Sequence, residues 1–233
     1  MRGPQATGSD LVIADAVSAI DYVKKNANVD QSRIYAIGYS GGGYLGLLLA
    51  GREPQLWAGV SAWVPISDLS AWYAQAVRQG TRYPPEIAAS CGGEPVGDTA
   101  AARECSKRSP LTYIETARDV MIDIHHGIHD GHGSAPVPVS QSLIAFNALA
   151  LPEDRFTDEQ IAYITKEQKL SPELARQTSE GNETILLRRQ SNNVRITIFD
   201  GGHDKNTEVG VRWLNQQRKG DGVRTRATGQ RSP

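Results

Sequence analysis

The sequence predicts an α/β protein: a three-layer fold built on a mainly parallel sheet. Four short apolar runs with β-branched members, at residues 33–39, 58–64, 119–126 and 194–199, read as strands. Each is followed by helical or irregular chain. The runs are apolar nearly throughout rather than alternating, as strands of a parallel sheet covered on both faces should be.

The elements follow in order. Ile13, Ala16, Val17, Ile20 and Val23 fall on one helical face ahead of the first strand, with Ser9 or Asp10 as the cap. The first strand runs into Gly38-Tyr39-Ser40-Gly41-Gly42, and a helix-like run from Tyr44 to Leu49 starts at once. Residues 68–109, after the second strand, mix Trp72, Tyr73, Tyr83 and Pro84-Pro85 with polar residues. They are expected to form helices over one edge of the sheet. Residues 139–150 read as the helix after the third strand. Residues 151–189 read as a polar insertion, with Pro172-Glu173-Leu174 opening a short helix. Both insertions are candidates for a lid, and surface decoration is an equal alternative for the second. Residues 208–218 close as a helix that packs through Val209, Trp213 and Leu214. The expected organisation is one domain over residues 1–218, with insertions at 68–109 and 151–189. A Gly-, Arg- and Ser-rich tail at 219–233 is expected to be disordered.

The chemistry concentrates in three loops, each just past a strand. Gly-x-Ser-x-Gly between strand and helix is the context in which a serine becomes an exposed nucleophile. Gly38 and Gly42 let strand and helix approach closely, and Gly41 N–H is one oxyanion donor at the helix start. Asp130 ends His125-His126-Gly127-Ile128-His129-Asp130 after the third strand, and His203 ends Asp200-Gly201-Gly202-His203 after the last. The carboxyl edge of such a sheet is where active sites sit. Ser40 would attack, His203 would take its proton, and Asp130 would hold the imidazole tautomer. Asp68, also past a strand, is the rival acid. Asp200 and Asp204 lie too close to His203 in the chain to orient its ring and read as turn residues.

With these residues in view, the chain resembles an α/β-hydrolase of the prolyl oligopeptidase-like or related esterase group. The likeness rests on Val29-Asp30-Gln31-Ser32-Arg33-Ile34 leading into the elbow, on His126-Gly127-Ile128-His129-Asp130, and on Gly201-Gly202-His203 before a last helix. It spans most of residues 9–218. The resemblance implies the α/β-hydrolase fold, a Ser40 acyl-enzyme with Asp130 as the acid, and no cofactor. It implies a small ester or short peptide as substrate. An ester is favoured, a prolyl oligopeptidase-type peptidase is the alternative, and a non-catalytic hydrolase-like fragment is a third reading. The family sheet has several strands before the elbow, one of which precedes the loop that supplies a second oxyanion donor. Here only a loop and one helix are read before residue 33. The domain is therefore expected to be N-terminally truncated, with the 33–39 strand an edge through which the chain self-associates.

At 233 residues, 39% hydrophobic and net charge −1, the chain can bury a core and has no basic footprint for nucleic acid. No apolar run reaches the ~20 residues of a membrane span, and no signal peptide follows Met1. Cys91 and Cys105, an even and closely spaced pair, predict a disulfide and a secreted or periplasmic setting, with a cytoplasmic one as the alternative. Two competing patterns are weaker. Gly41-Gly42-Gly43-Tyr44-Leu45-Gly46 formally matches a dinucleotide fingerprint, but leaves Ser40, Asp130 and His203 unused. His125, His126, His129 and His132 could suggest a metal, but their spacing fits no ligand pattern, so no metal is expected.

Overall fold

The computed structural model describes residues 4–133, 136–177 and 185–222. β1 (Tyr35–Tyr39), β2 (Gly59–Trp63), β3 (Met121–Gly127) and β5 (Val194–Phe199) are the four expected strands. Their pairings are parallel. A fifth strand, β4 (Ile185–Ser191), joins β5 antiparallel and gives the order β1-β2-β3-β5-β4. This corrects the expectation of a polar insertion running through residue 189, whose last residues are sheet. Arg188, Arg189 and Gln190 interrupt the apolar pattern, as an edge strand permits. Asn192, at φ 49°, turns the hairpin between Ser191 and Val194.

Every residue of β2 is buried. Register and pleat put Val60, Ala62, Ile122, Ile124, Ile196 and Ile198 on one face, all almost completely buried. Helices α2 (Gly41–Arg52) and α6 (Ser140–Leu149) cover that face with Leu47, Leu48, Leu143 and Phe146. Each such side chain contributes about 1.5–3 kcal/mol of burial. Helix α9 (Thr207–Leu214) covers the other face, where Gly210 packs against Ile37, Ser61 and Trp63.

Helix α1 (Asp10–Asn26) is capped by Ser9, whose hydroxyl accepts the Val12 N–H at 3.4 Å. Its apolar face meets the core from Ile13 through Ile20, and Val23 remains 49% exposed. The first insertion folds as α3 (Leu69–Arg78), α4 (Pro84–Cys91) and α5 (Ala100–Arg108). The second carries α7 (Asp158–Glu167), which packs on α6, and α8 (Pro172–Gln177), which touches β4. The domain body continues past 218: Lys219 N–H donates to Ser32 O, and Asn193 Nδ2 donates to Gly222 O. The rest of the expected tail lies outside the described residues. Among the described residues no helix is long and apolar enough to cross a membrane.

A Cys91–Cys105 disulfide joins α4 to α5 across 14 positions of chain. Closing a loop of that size removes unfolded-state entropy equivalent to about 3 kcal/mol. The Cys91→Ser/Cys105→Ser variant should lose about that much stability in urea titration. An unchanged midpoint would mean that the α4–α5 packing alone fixes the loop.

Candidate active site

The elbow between β1 and α2 has no room for side chains on its inner surface. A Cβ on Gly38 would collide with the Gly42 carbonyl, and one on Gly43 would lie 2.8 Å from Trp63 O. This close approach forces Ser40 to φ 54°, ψ −117°. For a residue with a Cβ, such strain costs on the order of 1–3 kcal/mol. Two backbone bonds hold it: Ser40 N–H donates to Trp63 O at 2.8 Å, and Tyr44 N–H donates to Ser40 O at 2.8 Å. The side chain makes no capping bond, which leaves the hydroxyl available. Gly41 and Gly42 open the helix, where first-turn N–H groups lack intrahelical partners. The segment that mimicked a dinucleotide fingerprint is thus the start of α2. Val64, just past β2, is also at positive φ (43°), unusual for a β-branched residue, and donates its N–H to His125 O.

The acid and histidine loops meet at the same edge. Gly127 has no Cβ, so the carbonyls of Gly201 and Gly202 can close onto it. His129 N–H donates to Gly201 O, and Ile128 N–H donates to Phe199 O, both at 3.0 Å. Asp130 is 1% exposed, and its Oδ2 accepts a bond from His203 Nδ1 at 2.5 Å. Its Oδ1 accepts the N–H groups of Gly131 and Val137. A carboxylate partner on Nδ1 assigns the proton there, leaving Nε2 with a lone pair. Tyr39, which precedes the serine, links the elbow to this pair. Its hydroxyl donates to His203 O at 2.6 Å, and its ring centroid lies 4.9 Å from the imidazole. That clamp was not apparent from the pentapeptide. Asp68 is the N-cap of α3, accepting the N–H groups of Ser70 and Ala71. Asp200 faces His129 at 2.9 Å, and Asp204 accepts the Gly202 N–H.

The four clustered histidines diverge. His125 sits on the α9 face, stacked on Trp63 at 3.8 Å, with Nε2 2.7 Å from Asp123 Oδ2. Arg195 donates twice to the same carboxylate, at 2.8 Å each. Burial would raise the Asp123 pKa, but His125 and Arg195 outweigh it and hold the group below its usual value. His126, one residue on, points to the α6 face. It donates Nε2–H to Val137 O at 3.1 Å and accepts from the Ser142 hydroxyl at 2.6 Å. His129 and His132 are held by Gln168, Asp200 and Thr165.

Beside Ser40 lies a cavity of about 340 Å³. Its walls come from the first insertion (Leu69, Trp72, Tyr83, Ile87), from Ile66 and Pro136, and from Ala6 and Thr7 near the N-terminus. Trp72 Nε1 donates to Pro136 O at 2.8 Å. Arg108 ties down the N-terminal segment by donating to the carbonyls of Pro4 and Thr7. Among the described residues, the 151–189 insertion contributes no wall to this cavity.

Complete burial, opposed by the attraction of Asp130, pushes the His126 pKa down from 6.5 to about 4. The unfolded chain binds a proton in that window and the folded chain does not, so stability falls as pH drops through it. Unfolding free energy should drop by about 2 kcal/mol between pH 7 and pH 5. His126→Gln should flatten that slope in urea titrations at the two pH values; an equal slope in the variant would assign it to other groups.

Comparison with known proteins bears on the family and the fold. The prolyl oligopeptidase family model matches residues 7–169, which include Ser40 and Asp130 and end before His203. A search of curated proteins gave no significant match. Among solved structures, the acylaminoacyl peptidase of Pyrococcus horikoshii aligns with 92% of this chain at TM-score 0.56 and 17% identity. A puromycin-hydrolyzing peptidase of Mycobacterium tuberculosis aligns with 91% at 0.54 and 17%. The acetyl xylan esterase of Paenibacillus sp. R4 aligns with 88% at 0.55 and 18%. The chain spans 29%, 25% and 52% of those three chains respectively. At such identities the structures speak for fold alone, whereas the family match covers well over half of the sequence. By that match the chain belongs to the prolyl oligopeptidase family of serine hydrolases, in the α/β-hydrolase fold.

Proposed function

We propose that this chain carries an esterase-type acyl-transfer site in which Ser40 forms the acyl-enzyme. The observation that supports it most is the strained, uncapped Ser40 at the same sheet edge as the His203–Asp130 bond. In this reading Ser40 Oγ attacks a carbonyl carbon while its proton passes to His203 Nε2. The Nδ1–H bond to Asp130 stabilises the imidazolium that results. The oxyanion takes the Gly41 N–H and the positive end of α2. The imidazolium then protonates the leaving oxygen, and water, activated by the same nitrogen, releases the acid. A compact apolar cavity beside the nucleophile favours a small ester. Family membership supports a second reading, cleavage of a short peptide by the same steps. The disulfide supports an oxidising compartment, secreted or periplasmic.

A fluorophosphonate probe should label wild-type chain and not Ser40→Ala, and the variant should retain less than about 1% of p-nitrophenyl ester turnover. Wild-type chain that resists the probe would favour a non-catalytic module. Asp130→Asn should cost on the order of a thousandfold or more, since an amide favours the wrong tautomer. Asp68→Asn should be near neutral, because Asn caps a helix as well as Asp. The reverse ranking would move the acid to Asp68.

The same reading includes self-association. β1 pairs only with β2 among the described residues, and Ile37 on it is 42% exposed. Such an edge is a template for another strand. Light scattering on the 233-residue chain should show species larger than a monomer, and Ile37→Lys should shift them toward monomer. A monodisperse monomer would sink this part of the proposal.

A further inference from the structure

The cavity beside Ser40 is walled by apolar and aromatic side chains, with one charged exception. Trp72 and Tyr83 stand with ring centroids 5.0 Å apart and planes tilted by 40°. Glu86, in the first turn of α4, is the single charged residue of the lining. Glu86 is exposed to solvent at the cavity rim, and its carboxylate has no hydrogen-bond or ion-pair partner among the described residues. Arg82, one turn earlier, lies over the Tyr83 ring at 5.2 Å and is not part of the lining. An acidic residue in a helix's first turn also suits the helix dipole. That accounts for a carboxylate on α4 but not for its place in the wall beside the nucleophile.

A substrate that fills this cavity displaces water from Glu86. A neutral acyl chain would leave the carboxylate less solvated and without a partner, whereas a cation would replace the lost water. The Trp72 ring attracts the same cation, whereas the Tyr83 ring already carries the Arg82 guanidinium. We infer that the cavity selects acyl groups built as an apolar chain ending in a cationic ammonium. The stem lies against Ile66, Leu69 and Ile87, and the ammonium lies at Glu86 near the Trp72 ring. This specificity rests on the acyl-transfer reading for its chemistry, but the charge preference belongs to the cavity and can be measured without turnover.

Two p-nitrophenyl esters make the comparison: a pentanoate capped by a trimethylammonium group, and its neutral isostere capped by a tert-butyl group. Wild-type chain should favour the cationic ester by about tenfold in kcat/KM, and Glu86→Gln should bring the ratio close to one. Calorimetric binding of the two matching primary amides to the Ser40→Ala chain gives a second readout. The cationic amide should bind about tenfold tighter, again dependent on Glu86. A wild-type ratio near one, or a preference that survives Glu86→Gln, overturns the inference. Charge-selective amide binding without hydrolysis of either ester would uphold the subsite and reject the acyl-transfer reading. Ester turnover without charge selectivity would do the opposite.

Discussion

The structure depends on one steric constraint, the contact between β1 and the first turn of α2. Gly38 and Gly43 leave no space there for a Cβ, whereas one on Gly42 would stand in the open, so the close approach expected of Gly42 rests on Gly43 instead. With side chains at Gly38 and Gly43 the helix would stand off the strand, and the Ser40 N–H would lose the Trp63 carbonyl. The strain at Ser40 is of order 1–3 kcal/mol, and two hydrogen bonds at about 1 kcal/mol each are of the same size. Those bonds persist only while the helix stays against the strand, which depends on what lies behind the turn. Leu47 and Leu48, with no exposed surface, anchor α2 on Val60 and Ala62, so the helix cannot back away to relax the serine. Core packing thus holds the elbow, and Tyr39 carries the same rigidity to the His203 loop.

Strand β3 adds an electrostatic arrangement that follows from pleating alone. His125 and His126 are neighbours in the chain and point to opposite faces. On the α9 face, His125 joins an Asp123–Arg195 ion pair beneath the Trp63 ring. On the α6 face, His126 is neutral and fixed by Ser142 and Val137, with its Nε2 3.6 Å from Asp130 Oδ2. The Asp130 carboxylate loses its water on burial and gains three N–H donors, from His203, Gly131 and Val137. A neutral histidine behind it adds no competing charge.

Much of this was legible in the sequence, for identifiable reasons. The four parallel strands are short apolar runs; burial on both faces produces that signature in β2, β3 and β5, while β1 at the edge keeps it although it is only half-buried. Gly38 and Gly43 show in the sequence because sterics leave no alternative at those two positions. Asp68 as a helix cap could have been read from its place just before Leu69 and a periodic apolar run. The Asn192-Asn193 pair between Ser191 and Val194 was a turn signal that would have exposed β4, but the charges of Arg188 and Arg189 masked the strand. The Tyr39 clamp on His203 and the Ala6–Thr7 wall were not legible. Both join segments far apart in the chain, with no local pattern to mark them: Tyr39 and His203 are separated by 164 positions, and Thr7 and the Arg108 that holds it by 101.

The candidate site residues and the walls of the cavity beside them come from different parts of the chain. Ser40, Asp130 and His203 sit on the ends of sheet strands, where parallel pairing and buried helices fix their positions. The cavity walls come mostly from the first insertion, whose α4 and α5 are joined by the Cys91–Cys105 disulfide, and from an N-terminal segment held by Arg108. Segments of this kind can change shape and chemistry without disturbing the sheet. In the proposed reading the sheet edge would carry the chemistry, and the insertion would shape the space beside Ser40.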